Sequence, residues 1–117
     1  MEKLTNIFKT LSDPNRLRIL KMLEQRPLCV CEIKTVLGLA SSTVSKHLSI
    51  LKLNGFLFDD KDGKWVIYRL KTDLNDEYLR YLLPLLRGWI NLDELVRNDQ
   101  KIISNIKRSM VCSRSEK

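Results

Sequence analysis

Histidine and glycine are scarce in this chain of 117 residues, which contains one histidine and four glycines. A single histidine excludes metal sites built from several imidazoles, including the paired histidines of metalloprotease motifs. None of the glycines belongs to a GxGxxG or GxxxxGK pattern, so the sequence offers no cradle for nucleotide phosphates. A serine–histidine–aspartate triad would have to use His47, and no Gly-x-Ser-x-Gly elbow lies near it. These absences argue against an enzyme.

Long hydrophobic runs are also absent. The longest apolar stretch, Tyr81 to Leu86, is far shorter than the roughly 20 residues that cross a bilayer, and it contains Pro84. The first ten residues alternate charged and apolar side chains and hold no signal-peptide core, so we expect a cytoplasmic protein without a membrane partner. In that reducing compartment, an odd number of cysteines argues against a disulfide scaffold.

Basic residues outnumber acidic ones. Lys and Arg number 21 against 14 Asp and Glu, which gives a net charge of +7 and a pI near 9.5. A small basic domain suits a polyanion, most often nucleic acid or an anionic membrane face. A membrane-surface role is disfavoured because the polar faces of the helices carry many acidic residues. The length leaves room for one domain, which we expect to span residues 1–117.

Apolar spacing predicts four helices in the first half of the chain. Asp13 is a cap for the second helix, whose first position Pro14 fits. Cys29 starts the third helix in a capping box with Glu32, and Gly38 ends it. The predicted helices cover residues 2–11, from Pro14 to Pro27, about 30–37, and from Ser41 or Ser42 to Leu53.

A β-hairpin is predicted after the fourth helix, over about 56–70. Its strands are Phe56–Phe58 and Lys64–Leu70, and the polar Asp59–Gly63 between them carries an Asp-Gly turn signature. The rest is helical over about 74–111, where Pro84 should kink or break the segment, and the tail from Ser113 is polar and frayed. Apolar residues of this last third exceed what so small a domain covers, which predicts a two-fold dimer through the N- and C-terminal helices. They include Leu82, Leu86 and Trp89.

This order of elements, mainly α with a small β-hairpin, predicts a winged helix-turn-helix with N- and C-terminal dimerisation helices. The fourth helix would lie in the major groove of double-stranded DNA, with the hairpin as the wing. Short hydroxyl side chains allow close approach, Lys46 adds charge, and His47 can donate to a base or phosphate. A serine-rich start can also serve only as a cap, and a histidine beside Leu48 only as a half-buried residue. The candidate DNA-binding residues are Ser41, Ser42, Thr43, Ser45, Lys46, His47, Lys61, Lys64 and Arg69.

Cys29-Val30-Cys31 is the candidate ligand site. Residues i and i+2 point apart on a regular helix, but a capping Cys29 lies outside helical geometry, so its sulfur can turn toward Cys31. The helix start favours thiolate, the form that binds soft metals. Arg26 and Lys34 act in the same direction, and Glu32 acts against it.

Three segments together resemble the ArsR/SmtB family of metal-sensing repressors. They are LSDPNRLRIL at 11–20, LGLASSTVSKHL at 37–48 and GKWVIYRL at 63–70. The resemblance covers residues 1 to about 90 and implies a homodimeric repressor that releases an inverted-repeat operator when a metal or metalloid binds. Ala40 stands where the family usually has a capping serine, so Ser41 is expected to cap the helix instead.

The segment Pro27–Ile33 is similar to the arsenite-binding segment of the family's arsenic sensors, which often carries a further cysteine at the position of Lys34 here. The resemblance therefore implies two thiolate ligands, Cys29 and Cys31, of the three that a pyramidal As(III) centre takes. Cys112 is the remaining candidate for the third sulfur ligand, from the same subunit or from the partner subunit. Alternatively, Cys112 is an idle tail thiol, and a solvent ligand or a small thiol completes the site. Residues 72–111 contain no histidine, which excludes the family's interhelical Asp/His zinc site.

We therefore expect a DNA-binding repressor with no permanent cofactor and with As(III) or Sb(III) as inducer. The inducer would distort the first turn of the third helix and so shift the fourth. The alternative is the same DNA-binding module sensing Cd(II), Pb(II) or thiol oxidation through Cys29 and Cys31. A small thiol reductase is a weaker alternative, because the chain lacks a CxxC pair and the basic hairpin would have no role.

Overall fold

The computed structural model describes residues 1–72 and 75–112, and this part of the chain forms seven helices and three strands. Leu74 and the tail from Ser113, which the sequence analysis mentions, lie outside the described residues. The mainly helical class with a small hairpin is confirmed. The elements are α1 (Glu2–Leu11), α2 (Pro14–Gln25), β1 (Leu28–Cys29), α3 (Val30–Leu37), α4 (Ser41–Leu53), β2 (Leu57–Asp62), β3 (Trp65–Leu70), α5 (Leu79–Arg87), α6 (Glu94–Asn105) and α7 (Arg108–Val111).

The helix starts follow the predicted capping chemistry except at α4. Asp13 accepts hydrogen bonds from the first backbone N–H groups of α2, and Glu32 accepts one from the Cys29 N–H at 2.9 Å, as in a capping box. At α4 the N-cap is Ala40, without a side-chain cap. The expectation that Ser41 caps this helix is wrong, because Ser41 is already its first helical residue and is exposed.

Strand β1 is absent from the sequence prediction. It pairs antiparallel with β3, with Leu28 opposite Tyr68 and Cys29 opposite Ile67, and gives the sheet the order β1-β3-β2. A strand of two residues is too short to show the alternation that reveals longer strands. It forms because β3 would otherwise present an unpaired edge.

The hairpin turn is tighter than predicted. Strand β2 continues to Asp62, which pairs with Trp65, so the loop is Gly63-Lys64 and Gly63 has a φ of 65°. Glycine adopts this left-handed conformation without strain. The acidic run therefore lies within the strand, where Asp59 pairs with Lys52 at 2.8 Å.

The alternating faces of β3 separate two apolar clusters, as its pattern predicts. Tyr68 and Leu70 pack against the main core, which the helices enclose. Trp65 and Ile67 face a smaller cluster that contains the three cysteines. The hairpin thus packs against both apolar clusters.

Helix α5 runs through Pro84 without the break that the sequence allowed for. Buried Leu79 and Leu86 anchor the turns on either side, and their packing outweighs the hydrogen bond that proline removes. Leu86 and half-buried Leu82 are therefore covered within the chain, whereas Trp89 is 50% exposed. Other exposed apolar side chains are Phe8, Tyr81, Leu85, Ile90, Leu92 and Leu95.

Helix α6 lies along α2, and its contacts advance in the same direction along both helices. Arg18 forms an ion pair with Asp99, its Nε and Nη2 each 2.8 Å from a carboxylate oxygen, and further along Gln25 donates to Ser104 over 2.9 Å. Both helices therefore end at the same level, close to β1. The predicted helical region over about 74–111 is also interrupted at this point, because α6 ends at Asn105 and the short α7 follows. No helix in residues 1–72 and 75–112 is long and apolar enough to cross a bilayer.

Candidate functional site

The three cysteines of the chain meet in one buried cluster. Sγ of Cys29 lies 3.2 Å from Sγ of Cys31 and 3.1 Å from Sγ of Cys112, and all three sulfur atoms lie within 4.8 Å of one another. Cys29 and Cys112 are fully buried, and Cys31 is 6% exposed. The structure thus brings the predicted sulfur residues together in one chain, and Cys112 is not an exposed tail thiol.

Cys29 owes its orientation to its place between two elements. It is the last residue of β1 and the N-cap of α3, with extended φ and ψ of −96° and 171°. Its sulfur therefore turns over the first turn of α3 toward Cys31, as the capping position predicts. Lys34, where the resembling arsenic sensors often have a cysteine, is exposed on α3.

The third sulfur arrives from the C-terminal turn, residues 108–112. Because α6 ends beside the end of α2, the chain after Ile106 passes β1, and α7 sets Cys112 against Cys29. Nothing in the spacing of Cys112 from the other cysteines predicts this contact, since it depends on how α6 packs.

A fully buried carboxylate, Glu32, holds this junction together. Its Oε1 accepts hydrogen bonds from the Cys29 N–H at 2.9 Å and from Arg108 Nε at 3.0 Å, and its Oε2 accepts one from Arg26 Nη1 at 2.9 Å. Burial alone disfavours the charged form, but these three donors hold the pKa of Glu32 below its ordinary value. Glu32 therefore remains a carboxylate and links β1, α2 and α7.

The environment of Cys29 favours the thiol. Burial, together with the nearby negative charge of Glu32, raises the pKa of Cys29 to about 11. The sequence-based expectation of a thiolate stabilised by the helix start and by Arg26 is therefore wrong for the ligand-free protein. Arg26 forms an ion pair with Glu32, so the carboxylate offsets the positive charge that was expected to stabilise the Cys29 thiolate.

Cys31 and Cys112 are joined as a disulfide in this structure, with Cα atoms 5.6 Å apart, and Cys29 is a free cysteine. This departs from the expectation drawn from the odd cysteine number. The bond also involves Cys112, whereas the thiol-oxidation alternative was assigned to Cys29 and Cys31. The physical reason is the C-terminal turn, which carries Cys112 to within disulfide distance of Cys31.

With the Cys31–Cys112 bond reduced, the three cysteines would be close enough to bind one thiophilic ion. A metal about 2.3 Å from each thiolate can join sulfur atoms up to about 4.6 Å apart. Both sulfur distances from Cys29 fall below that limit. Thiolates are soft ligands, which select soft ions over Mg²⁺ or Ca²⁺.

The predicted DNA-reading residues lie mostly on one exposed surface of α4. Exposed side chains there are Ser41, Ser42, Thr43, Ser45 and Lys46, and His47 is half-buried. Val44 and Leu48 on the opposite face are fully buried and fix the helix against the core. The surface is therefore presented by a rigid element.

Arg16 belongs to this surface, and the sequence analysis missed it. Its Nη1 donates to Nδ1 of His47 over 3.2 Å, and it lines a surface groove with Ser42, Thr43 and Lys46. Its Nε donates to the Thr10 carbonyl at 2.8 Å. The run Asp13-Pro14-Asn15-Arg16 could have been read as a helix start that places an arginine in the first turn of α2.

The wing carries the remaining predicted residues. Lys61 and Lys64 are exposed near its tip, and Lys64 lies 5.4 Å from the ring centroid of Trp65. Arg69 forms an ion pair with Asp60, Nε to Oδ1 3.3 Å, so part of its charge is balanced within the wing. The positive charge of the wing is therefore concentrated toward its tip.

Comparison with known proteins shows which protein family shares this sequence and architecture. The model described as "Bacterial regulatory protein, arsR family" matches residues 13–57. The "Arsenical resistance operon repressor" of Escherichia coli K12 is 36% identical over 107 residues, which are 89% of this chain and 81% of that protein. This chain belongs to the arsR family. The family consists of regulatory proteins, and its model spans α2, α3 and α4.

Further relatives and structures agree with this assignment. "Arsenic resistance transcriptional regulator ArsR2" of Pseudomonas putida is 40% identical over 73% of this chain and 77% of its own. "Cadmium resistance transcriptional regulatory protein CadC" of Listeria innocua is 42% identical over 58% of each chain. Reduced HlyU from Vibrio cholerae superposes with a TM-score of 0.64 at 28% identity, covering 77% of this chain and 90% of that one.

One similar solved structure is described as a winged helix-turn-helix domain. The homodimeric winged helix-turn-helix DNA-binding domain of Mb0332 from Mycobacterium bovis superposes with a TM-score of 0.62 at 28% identity, covering 74% of this chain and 77% of that fragment. The predicted winged helix-turn-helix fold of this arsR-family chain is thereby confirmed.

Proposed function

We propose that this chain is a transcriptional repressor that releases its operator when As(III) or Sb(III) binds the thiolates of Cys29, Cys31 and Cys112. The single observation that carries the proposal is the meeting of three buried sulfur atoms at the start of α3. A pyramidal As(III) centre takes three thiolates. The arsenic names carried by the relatives from E. coli and P. putida support the choice of ion.

The DNA-binding part of the proposal assigns α4 to the major groove and the hairpin to the backbone beside it. The hydroxyl groups of Ser41, Ser42, Thr43 and Ser45, with Lys46 and His47, would contact bases and phosphates. Lys61, Lys64 and Arg69 would contact phosphates from the wing. The net charge of +7 favours binding to a polyanion.

The working form would be a homodimer on an inverted repeat. The exposed apolar side chains of α1, α5 and the segment after it supply a surface for a second copy. Two recognition helices related by a two-fold axis reach successive major grooves about 34 Å apart. The homodimeric Mb0332 domain supports this arrangement.

Ligand binding must favour the DNA-free form to cause release. The three thiols have to lose their protons, and Cys29 starts from a raised pKa, so binding replaces a neutral buried thiol with an ion-bound thiolate. The first turn of α3 and its hydrogen bonds to Glu32 would adjust to this change. A coupling of about 1–3 kcal/mol lowers operator affinity roughly 5–150-fold.

The test is fluorescence anisotropy on an inverted-repeat promoter fragment with fully reduced protein. As(III), Sb(III), Cd(II), Pb(II) and Zn(II) are titrated against wild type and against Cys29→Ser, Cys31→Ser and Cys112→Ser. We expect As(III) and Sb(III) to release wild type and to act weakly on the serine variants. Ser109→Ala, on the same turn as Cys112, is the matched control. An unchanged As(III) response in Cys31→Ser would contradict the proposal.

A second candidate function has its own observation, the bond between Cys31 and Cys112. The same DNA-binding module would then respond to oxidation, in which two thiols lose two protons and two electrons and one molecule of hydrogen peroxide becomes two of water. Peroxide is therefore run in parallel without reductant. Release by peroxide together with indifference to As(III) favours this function. Release by Cd(II) alone favours the cadmium alternative that the CadC relative supports.

A further inference from the structure

The C-terminal turn contacts the wing as well as the cysteine cluster. Cys112 lies in the cluster, and Arg108, one turn earlier, points to several partners at once. Arg108 Nε lies 3.0 Å from Oε1 of Glu32. Nη1 lies 3.8 Å from Oδ2 of Asp62, and the guanidinium carbon lies 5.4 Å from the ring centroid of Trp65. One guanidinium thus bridges the start of α3 and the hairpin.

Two of these partners mark the tip of the wing. Asp62 ends β2 and Trp65 begins β3, and they face each other across the Gly63-Lys64 loop. Further along β3, Ile67 pairs with Cys29 and packs in the cysteine cluster. Strand β3 therefore meets the ligand site twice, once through the backbone of Cys29 and once through Arg108 at its tip.

The contact of Trp65 with the site does not depend on a hydrogen bond. Within residues 1–72 and 75–112, its buried indole N–H has no hydrogen-bond partner. The ring packs against the cysteine cluster and faces the cation of Arg108. A planar guanidinium suits both the ring face and the carboxylate of Glu32. Loss of Arg108 would therefore remove the charged contact between the C-terminal turn and the wing tip.

We propose that Arg108 couples the cysteine site to the wing, so that ligand binding reaches DNA through the wing as well as through α3 and α4. The inference rests on the proposed function. A ligand held by Cys112 fixes the C-terminal turn, and Arg108 then fixes the wing tip, which loses its freedom to follow the DNA backbone. Without ligand and with the Cys31–Cys112 bond reduced, no covalent bond ties the turn to α3, so the turn and the wing tip are held less firmly. The coupling is reciprocal, so operator binding lowers the affinity of the protein for the ligand by the same factor.

The experiment compares operator affinity of reduced protein without As(III) and at saturating As(III). The ratio of the two dissociation constants measures coupling and does not depend on how tightly each variant binds As(III). Wild type, Arg108→Gln, Arg108→Lys and Lys107→Gln are compared. Lys107 is exposed and adjacent, so Lys107→Gln removes the same charge without touching Glu32 or Trp65.

We expect a wild-type ratio of roughly 5–150, which Arg108→Gln lowers at least about threefold and Lys107→Gln leaves unchanged. Arg108→Lys should fall between them, because it keeps the charge and loses the planar group. An unaltered ratio in Arg108→Gln, or an equal fall in Lys107→Gln, would overturn the proposal. A wild type that does not respond to As(III) contradicts the proposed function itself, whereas a responsive wild type with a fully responsive Arg108→Gln contradicts only the wing coupling.

A second readout follows the wing directly. The chain has two tryptophans, so Trp89→Phe leaves Trp65 as the single tryptophan, whose emission is excited selectively at wavelengths beyond tyrosine absorption. In this background As(III) should change Trp65 emission, and added Arg108→Gln should reduce that change while As(III) still binds. If Arg108→Gln prevents As(III) binding altogether, the residue holds the site and does not transmit from it, and the proposal is wrong. Retained thermal unfolding in each variant verifies that the chain is folded.

Discussion

Arg16 donates a hydrogen bond from Nη1 to Nδ1 of His47 over 3.2 Å on the proposed DNA-binding surface. A guanidinium has donors only, so Nδ1 of His47 must be the acceptor and the ring proton resides on Nε2. In the proposed DNA complex, the histidine would offer Nε2–H as a donor. Arg16 is itself a cation in the same groove.

Arg16→Gln should weaken operator binding by about 0.5–1.5 kcal/mol or more, since a cation and an orienting hydrogen bond are both lost. Anisotropy measures the affinity, with Lys9→Gln as the control for an exposed cation in α1. The chain has one histidine, so a long-range ¹H–¹⁵N spectrum reports only its two ring nitrogens. We expect the Nε2–H tautomer in wild type and a mixture in Arg16→Gln. A wild-type mixture would contradict the assignment.

Lys46→Ala should weaken binding to all DNA sequences and flatten the salt dependence. One phosphate contact fewer changes the slope of log K against log salt by about 0.9. Titrations at several salt concentrations give this slope, and Lys101→Ala in α6 should leave it unaltered. If Lys46→Ala keeps the wild-type slope, Lys46 does not contact a phosphate.

Glu32→Gln should destabilise the fold strongly. The carboxylate is fully buried and pairs with Arg26 and Arg108, and its neutral replacement removes the negative charge that these two cations share. Breaking a buried ion pair costs about 3–5 kcal/mol. Urea unfolding measures the cost, and Glu94→Gln in the exposed first turn of α6 should cost less than about 1 kcal/mol. Equal effects of the two substitutions would mean that Glu32 does not hold the junction.

Leu85→Glu should shift the protein from dimer to monomer. Leu85 lies with Tyr81 on the exposed apolar face of α5, which exposed Trp89 follows, and a charge there cannot be buried against a second copy. Sedimentation equilibrium gives the mass, with exposed Asn98→Glu as the control. A dimeric Leu85→Glu would place the dimer surface elsewhere, and a monomeric wild type would contradict the proposed dimer.

Local signals in the sequence predicted much of this architecture. Capping by Asp13 and Cys29, the glycine after α3 and the alternation of β3 each depend on neighbouring residues, and each prediction holds. The features that were missed depend on distant contacts. Strand β1 needs the edge of β3, and the position of Cys112 needs the packing of α6 on α2.

The chemistry of the site was harder to predict than its location. The helix start and Arg26 pointed to a thiolate at Cys29, yet the fold uses Arg26 to neutralise Glu32 and buries the sulfur, which raises its pKa. Burial and the direction of a charged side chain are properties of the folded chain. Neither can be read from residues that are close only in sequence.

Arsenic K-edge X-ray absorption of the reduced protein loaded with one equivalent of As(III) tests the central claim most directly. We predict three sulfur neighbours for arsenic in wild type, and two sulfurs with one oxygen in Cys112→Ser. A wild-type arsenic with fewer than three sulfur neighbours, or a spectrum that Cys112→Ser leaves unaltered, would show that the cluster of Cys29, Cys31 and Cys112 is not the ligand site.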